Sequence, residues 1–190
     1  MRWVIFFILT YLVVLGKVAV GSVISLETVA IGSIQPDLLA LLAVFVALHA
    51  RNGTEAMLAA AVLGLALDLT TAGGTPVGTR VGPMVISYVL AAGLIYRIRD
   101  VFFQDHWPTQ VVFGGLFCLV SHGLWITLQS MLVGSEASWS LYGRMWLQVV
   151  ALSVYTAILM PLARPVLAAV KNIFMVAPAD RRRRERRSGS

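Results

Sequence analysis

The chain has 190 residues, of which 58% are hydrophobic and 13% charged, against roughly half apolar and a quarter charged in an ordinary soluble domain. Its surroundings must therefore be mostly lipid, and the length holds about six or seven helices of ~20 residues crossing a ~30 Å hydrocarbon layer, with no room for a soluble catalytic domain. The net charge of +6 resembles a nucleic-acid signature until it is located. Arg181, Arg182, Arg183, Arg184, Arg186 and Arg187 hold six of the fifteen basic residues, so no nucleic-acid partner is expected.

The first apolar segment runs from Trp3 to about Ile24. Its Met1-Arg2 start and the Ala19-Val20-Gly21 stretch resemble a secretory signal and its cleavage site, but five further apolar segments already hold the chain in the membrane, so a retained span is expected. Lys17 lies in the outer half of this segment, where its long stem can carry the ammonium to the outer headgroups. Segment two, Leu38 to Leu48, is short for a perpendicular span. It opens with Pro36, which suits a first helical turn, and with Asp37, placed to neutralise free N–H groups at the helix start.

Segment three runs from Glu55 to about Thr71, with Thr54 as its N-cap and Glu55 at the positive end of the helix dipole. Asp68 falls near its negative end, about 20 Å along the axis from Glu55. A short carboxylate there needs a donor or cation, such as Arg80, Lys17 or loop N–H groups. Either it locks segment three to segment four or it contacts a partner. The run from Ala72 to Gly78 breaks the helix with three glycines and a proline, and segment four follows from about Val81 to Tyr96.

Segment five runs from about Gln110 to Val133. Gly114-Gly115 near its start permits close backbone approach, while Cys118, His122, Trp125 and Gln129 share one helical face. His122 has no second histidine or carboxylate one turn away to complete a local metal pair, so a hydrogen-bonded packing role is expected. Segment six runs from about Tyr142 to Met160, where Pro161 and Pro165 are expected to kink or end it. A surface-lying amphipathic helix is expected between Ala163 and Val176, with Arg164 and Lys171 among apolar residues.

Lys and Arg near span ends favour the cytosolic side. With the N-terminus inside, that side carries Arg2, Arg51, Arg97, Arg99, Arg164, Lys171 and the arginine tail, against Arg80 and Arg144 outside. The expected organisation is an all-α, polytopic transmembrane bundle of about six spans with both termini cytosolic. Residues 1–176 form the membrane domain, and residues 177–190 a disordered basic tail drawn to anionic headgroups. The lone Cys118 offers neither a disulfide nor a Cys-based metal site. With no phosphate loop, His-Glu-x-x-His helix or nucleophile elbow, neither cofactor nor metal is expected, and catalysis is disfavoured.

One ordered set of residues carries a resemblance. Pro36-Asp37-Leu38-Leu39 opens a span, Gly64-Leu65-Ala66-Leu67-Asp68-Leu69 follows about thirty residues later, Gly78 sits in the next loop, and Ser87-Tyr88-Val89-Leu90 lies in the span after it. From Pro36 to Gly93, about a third of the chain, this order resembles the bacterial rod shape-determining protein MreD family. The resemblance implies a non-enzymatic component of the cell-wall elongation machinery in the bacterial inner membrane. Its partners are MreC-like and MreB-like proteins, RodA and a penicillin-binding transpeptidase. It also implies a helical arrangement like that of the substrate-binding subunits of energy-coupling-factor transporters. Asp37, Asp68, Gly78 and Tyr88 then maintain the fold or a partner surface, alongside Pro36, Gly64 and Arg80 as structural or partner-contact candidates. The Gly73-Gly74 pair and the long arginine tail depart from the family pattern. A second reading is a small-molecule-binding membrane subunit of a transporter, with the polar face of segment five lining a pocket.

Overall fold

A computed structural model of the chain describes residues 3–28, 32–72, 82–101, 107–133 and 139–174. The described elements are α1 (Trp3–Ile24), β1 (Leu26–Thr28), β2 (Gly32–Ile34), α2 (Leu38–His49), α3 (Gly53–Ala72), α4 (Pro83–Ile98), a 3-10 turn at Arg99–Val101, α5 (Trp107–Val133) and α6 (Trp139–Phe174). Among the described residues, three helices are long and apolar enough to cross a membrane, over Gly53–Thr70, Pro108–Met131 and Tyr142–Ala163. Three shorter apolar helical stretches, Trp3–Ala19, Leu38–His49 and Pro83–Ile98, accompany them.

The outer faces suit lipid. α1 exposes Val4, Phe7, Ile8, Tyr11, Leu12, Leu15 and Val18, and α6 exposes Leu147, Val150, Val154, Ile158, Leu162 and Val166 at one-turn spacing. A water-soluble surface rarely presents contiguous apolar faces of this extent.

At the centre lies α2, whose side chains from Leu39 to Leu48 are all buried. An all-round apolar sequence can occupy such a position only if its neighbours also satisfy its ends, because each helix terminus leaves four N–H or C=O groups without intrahelical partners. α4 supplies a group at each end of α2. Tyr88 reaches Asp37 at the start of α2. The Arg99 guanidinium, just past the end of α4, donates from Nη1 to the Ala50 carbonyl at 2.7 Å and to those of Ala47 and Leu48 at 3.2 Å each. The two helices therefore run in the same direction. Tyr88 and Arg99 are separated by about 16 Å of helical rise, close to the ~18 Å length of a twelve-residue helix. A cation on the last carbonyls also complements the negative end of the helix dipole. Tyr96 stacks under the guanidinium with 4.0 Å from Cζ to the ring centroid, and Asp100 flanks it at 3.4 Å. In sequence Arg99 stands only as a topology signal; the structure gives it a packing role as well.

α3 and α4 form an antiparallel hairpin, with Tyr96 beside Gly53 at one end and Asp68 beside Gly82 at the other. α5 and α6 form a second, in which Gly114 and Gly115 lie against Ala157, Met160 and Ser153, and Gly123 lies against Trp146. The glycine pair read as a close-approach point thus faces α6.

Several boundaries differ from expectation. α3 begins earlier than Glu55, at Gly53, because the Asn52 carbonyl already accepts from Ala56 N; Thr54 is inside the helix rather than its cap. Residues Leu26–Thr28 and Gly32–Ile34 pair as a two-stranded antiparallel ribbon, with Leu26 opposite Ile34, an element the sequence does not announce. Strands of three residues are too short to carry a readable alternation. The separate interfacial helix is also corrected, since α6 continues through Pro161 and Pro165 to Phe174. The prolines stand one turn apart, so both missing N–H groups fall on the same face and the remaining ladder carries the helix past them. Transmembrane helices tolerate such interruptions where neighbouring groups compensate.

Replacing Arg99 with Met retains much of the apolar stem but removes every donor from the α2 terminus. A loss of about 2–3 kcal/mol is expected, the scale of hydrogen bonds to a charged group, with Arg99→Lys retaining part of it because an ammonium lacks the planar fork. Reversible unfolding in detergent micelles measures both.

Candidate functional site

Among the described residues, polar side chains from several helices converge where α2 begins. Asp37 has extended backbone geometry (φ −89°, ψ 93°) and is the N-cap of α2. Its Oδ1 accepts from Leu39 N at 3.0 Å and Ala40 N at 3.1 Å. Pro36, expected within the first turn, instead precedes the cap and is buried, and Asp37 stands one place earlier than the second helical position. The reason is chemical: aspartate in extended geometry can reach the amides two and three residues ahead, which a residue already in the helix cannot.

The second carboxylate oxygen faces away from α2. Oδ2 accepts a hydrogen bond from the Tyr88 hydroxyl of α4, and His122 Nε2 of α5 lies 3.5 Å from it. The Asp37 backbone N–H donates to the Thr156 hydroxyl of α6 at 3.2 Å. One buried residue, 4% exposed, thereby joins α2, α4, α5 and α6. Such a carboxylate is tolerable in a low-dielectric interior only because its acceptor capacity is so fully used.

The surroundings extend this order. Tyr88 is fully buried and packs edge-on against Phe117, with ring centroids 5.1 Å apart. His122 Nδ1 lies 3.2 Å from the Cys118 carbonyl and 3.3 Å from Ser121 Oγ. Cys118 is buried within hydrogen-bonding reach of Thr156. From α1, Lys17 is half-buried and brings a cation into electrostatic range of Asp37.

Asp68 serves a second junction. Its Oδ2 accepts from Gly82 N at 2.7 Å, and the Met84 and Val85 amides also face the carboxylate. Asp68 thus caps α4 from the end of α3, the loop-amide option among those open from sequence. The Gly82 side of this junction has φ +126°, a conformation that glycine reaches without strain, and Pro83 follows as the first helical residue, where its missing N–H costs nothing. Gly64 completes the hairpin: a Cβ there would lie 2.9 Å from the Met84 carbonyl oxygen and from Val85 Cα, and 3.1 Å from Tyr88 Cβ.

The described candidates Pro36, Asp37, Gly64, Asp68 and Tyr88 therefore all lie at junctions of α2, α3 and α4. Gly78, Arg80 and the arginine tail lie outside the described residues. Thr156 was not singled out from sequence. The polar face of α5 carried the signal for His122, but nothing local to that helix identifies Asp37 as its partner. Among the described residues, no group of three or more His, Cys, Asp or Glu side chains is placed to hold a metal ion. No protein-family model, curated protein or solved structure matches this chain.

The two junctions respond differently to substitution. Asp68→Ala removes the cross-hairpin cap and is expected to cost about 1–2 kcal/mol, with Asp68→Asn costing less because an amide oxygen still accepts. Gly64→Ala drives a methyl into backbone that cannot rotate away, with an expected cost of about 1–3 kcal/mol. Thermal unfolding in detergent checks the ranking, and wild-type stability in Gly64→Ala would contradict the close approach.

Proposed function

We propose that this chain is a non-enzymatic, MreD-like scaffold of the bacterial cell-wall elongation machinery, crossing the inner membrane six times with both termini in the cytosol. The observation that carries this reading is the fate of the resemblance motif. Its described residues, scattered from Pro36 to Tyr88, are used on one another and on helix ends. Asp37 caps α2 and accepts from Tyr88, while Asp68 caps α4 and Gly64 sets the α3–α4 spacing. Residues spent in this way build a rigid helical unit and leave the apolar helix faces and loop tips for contact with other proteins. The short α2 reaches across the bilayer in this reading only together with its flanking segments. The distribution of Lys and Arg favours the cytosolic placement of both termini.

The partners in this reading are MreC-like and MreB-like proteins, RodA and a penicillin-binding transpeptidase, with anionic lipid at the arginine tail. A second reading, a small-molecule-binding subunit of a transporter, is favoured by the convergence of Asp37, Tyr88, His122 and Thr156 from four helices. Convergent polar groups in a mostly apolar setting are what ligand sites use.

Affinity purification in mild detergent separates the two. Recovery of the wall-elongation proteins supports the scaffold, and Asp68→Ala is expected to lower that recovery or the abundance of the chain itself. Recovery of an ATPase pair without them would replace the scaffold with the transporter reading.

A further inference from the structure

Asp37 and Tyr88 have settled roles, but His122 has chemistry left over. Its ring is buried, with Nε2 directed at the Asp37 carboxylate at 3.5 Å and Nδ1 at the Cys118 carbonyl at 3.2 Å. Both of those oxygens are acceptors. A neutral imidazole carries one N–H and one lone pair, so it can donate to only one of them. If Nε2 holds the hydrogen, the Nδ1 lone pair stands against the Cys118 carbonyl, and the single Ser121 hydroxyl hydrogen, with Oγ 3.3 Å from each, can serve only one of the two. If Nδ1 holds it, a lone pair confronts the carboxylate. Only the doubly protonated ring donates to both oxygens. The 3.5 Å separation also exceeds the ~2.7–2.9 Å of a charge-assisted hydrogen bond, which leaves distance for the contact to close.

We propose that His122 is a buried proton-binding site, in which one proton from solvent converts the Asp37–His122 contact into an imidazolium–carboxylate pair that draws α5 onto the N-terminus of α2. The proton adds to the free ring lone pair, and no other bond is made or broken. Because Asp37 also holds Tyr88 of α4 and Thr156 of α6, proton binding tightens the α5–α6 hairpin against the α2–α3–α4 unit.

The ionisable groups facing His122 are known element by element among the described residues. α2 presents Asp37, α1 presents Lys17, and α4 presents the Tyr88 hydroxyl bound to the same carboxylate oxygen. Cys118 lies one turn back on α5 itself, while α6 offers the non-ionisable Thr156 hydroxyl. The inference goes beyond the functional reading and holds for scaffold and transporter subunit alike.

The test is a pH titration of the full chain in lipid nanodiscs, with 15N label confined to histidine and the His122 signal identified by its loss in His122→Gln. Over about pH 4.5 to 9, the window in which histidine charge changes are accessible, His122 is expected to gain one proton. Asp37→Asn, which retains an N-cap oxygen, is expected to weaken proton binding about tenfold or more. At the acid end both ring nitrogens of the parent are expected to carry hydrogen, which their 15N shifts report, and this measurement decides the matter if Asp37→Asn does not accumulate. A His122 ring that does not titrate, or an affinity indifferent to the substitution measured, overturns the proposal.

Discussion

A helix buried on every side must have its two ends satisfied by its neighbours, and in this protein that requirement organises the bundle. α2 has no amphipathic face to orient it, since its side chains from Leu39 to Leu48 are all buried. What orients it is the chemistry of its termini. A carboxylate meets the free amides at the start and a guanidinium meets the free carbonyls at the end, each matching the sign of the helix dipole. Because Tyr88 and Arg99 both follow the rise of α4, the spacing and direction of α2 and α4 are set together. α3 is then added through the Gly64 contact and the Asp68 cap.

Asp37 extends that constraint beyond the α2–α3–α4 unit. Its backbone amide reaches α6 and its second carboxylate oxygen faces α5, so the α5–α6 hairpin is referenced to the same atom group that starts α2. Buried polar contacts of this kind specify one arrangement among many that apolar packing alone would permit, because each alternative leaves a carboxylate, hydroxyl or amide without a partner. α1 is different. It shows lipid-type exposure over most of its length.

Much of the helical layout was readable from hydropathy and breaker residues, since long apolar segments bounded by glycine, proline and charge are strongly marked. The roles of Asp37 and Asp68 were partly readable because capping is a local rule: a carboxylate near a helix start or beside loop amides has few other ways to be satisfied. The errors have physical causes. Of the two outcomes expected at Pro161 and Pro165, a kink or an end, the end does not occur, because two prolines in register remove hydrogen bonds from one face only. Arg99 was absorbed into the topology count because its carbonyl acceptors belong to a helix far away in the chain. The meeting of His122 with Asp37 is likewise tertiary, and neither residue's neighbours announce it.

The central claim is that Asp37 works as a shared junction rather than as an independent cap, and a double-mutant cycle tests it most directly. Asp37→Asn, Tyr88→Phe and the double variant would be compared with the parent by reversible unfolding in the same detergent. Contacting residues in one hydrogen-bonded network show interaction energies of about 0.5–3 kcal/mol, and a coupling of at least about 1 kcal/mol is expected here. Strict additivity of the two substitutions would contradict it, because the cap and the tyrosine would then act separately.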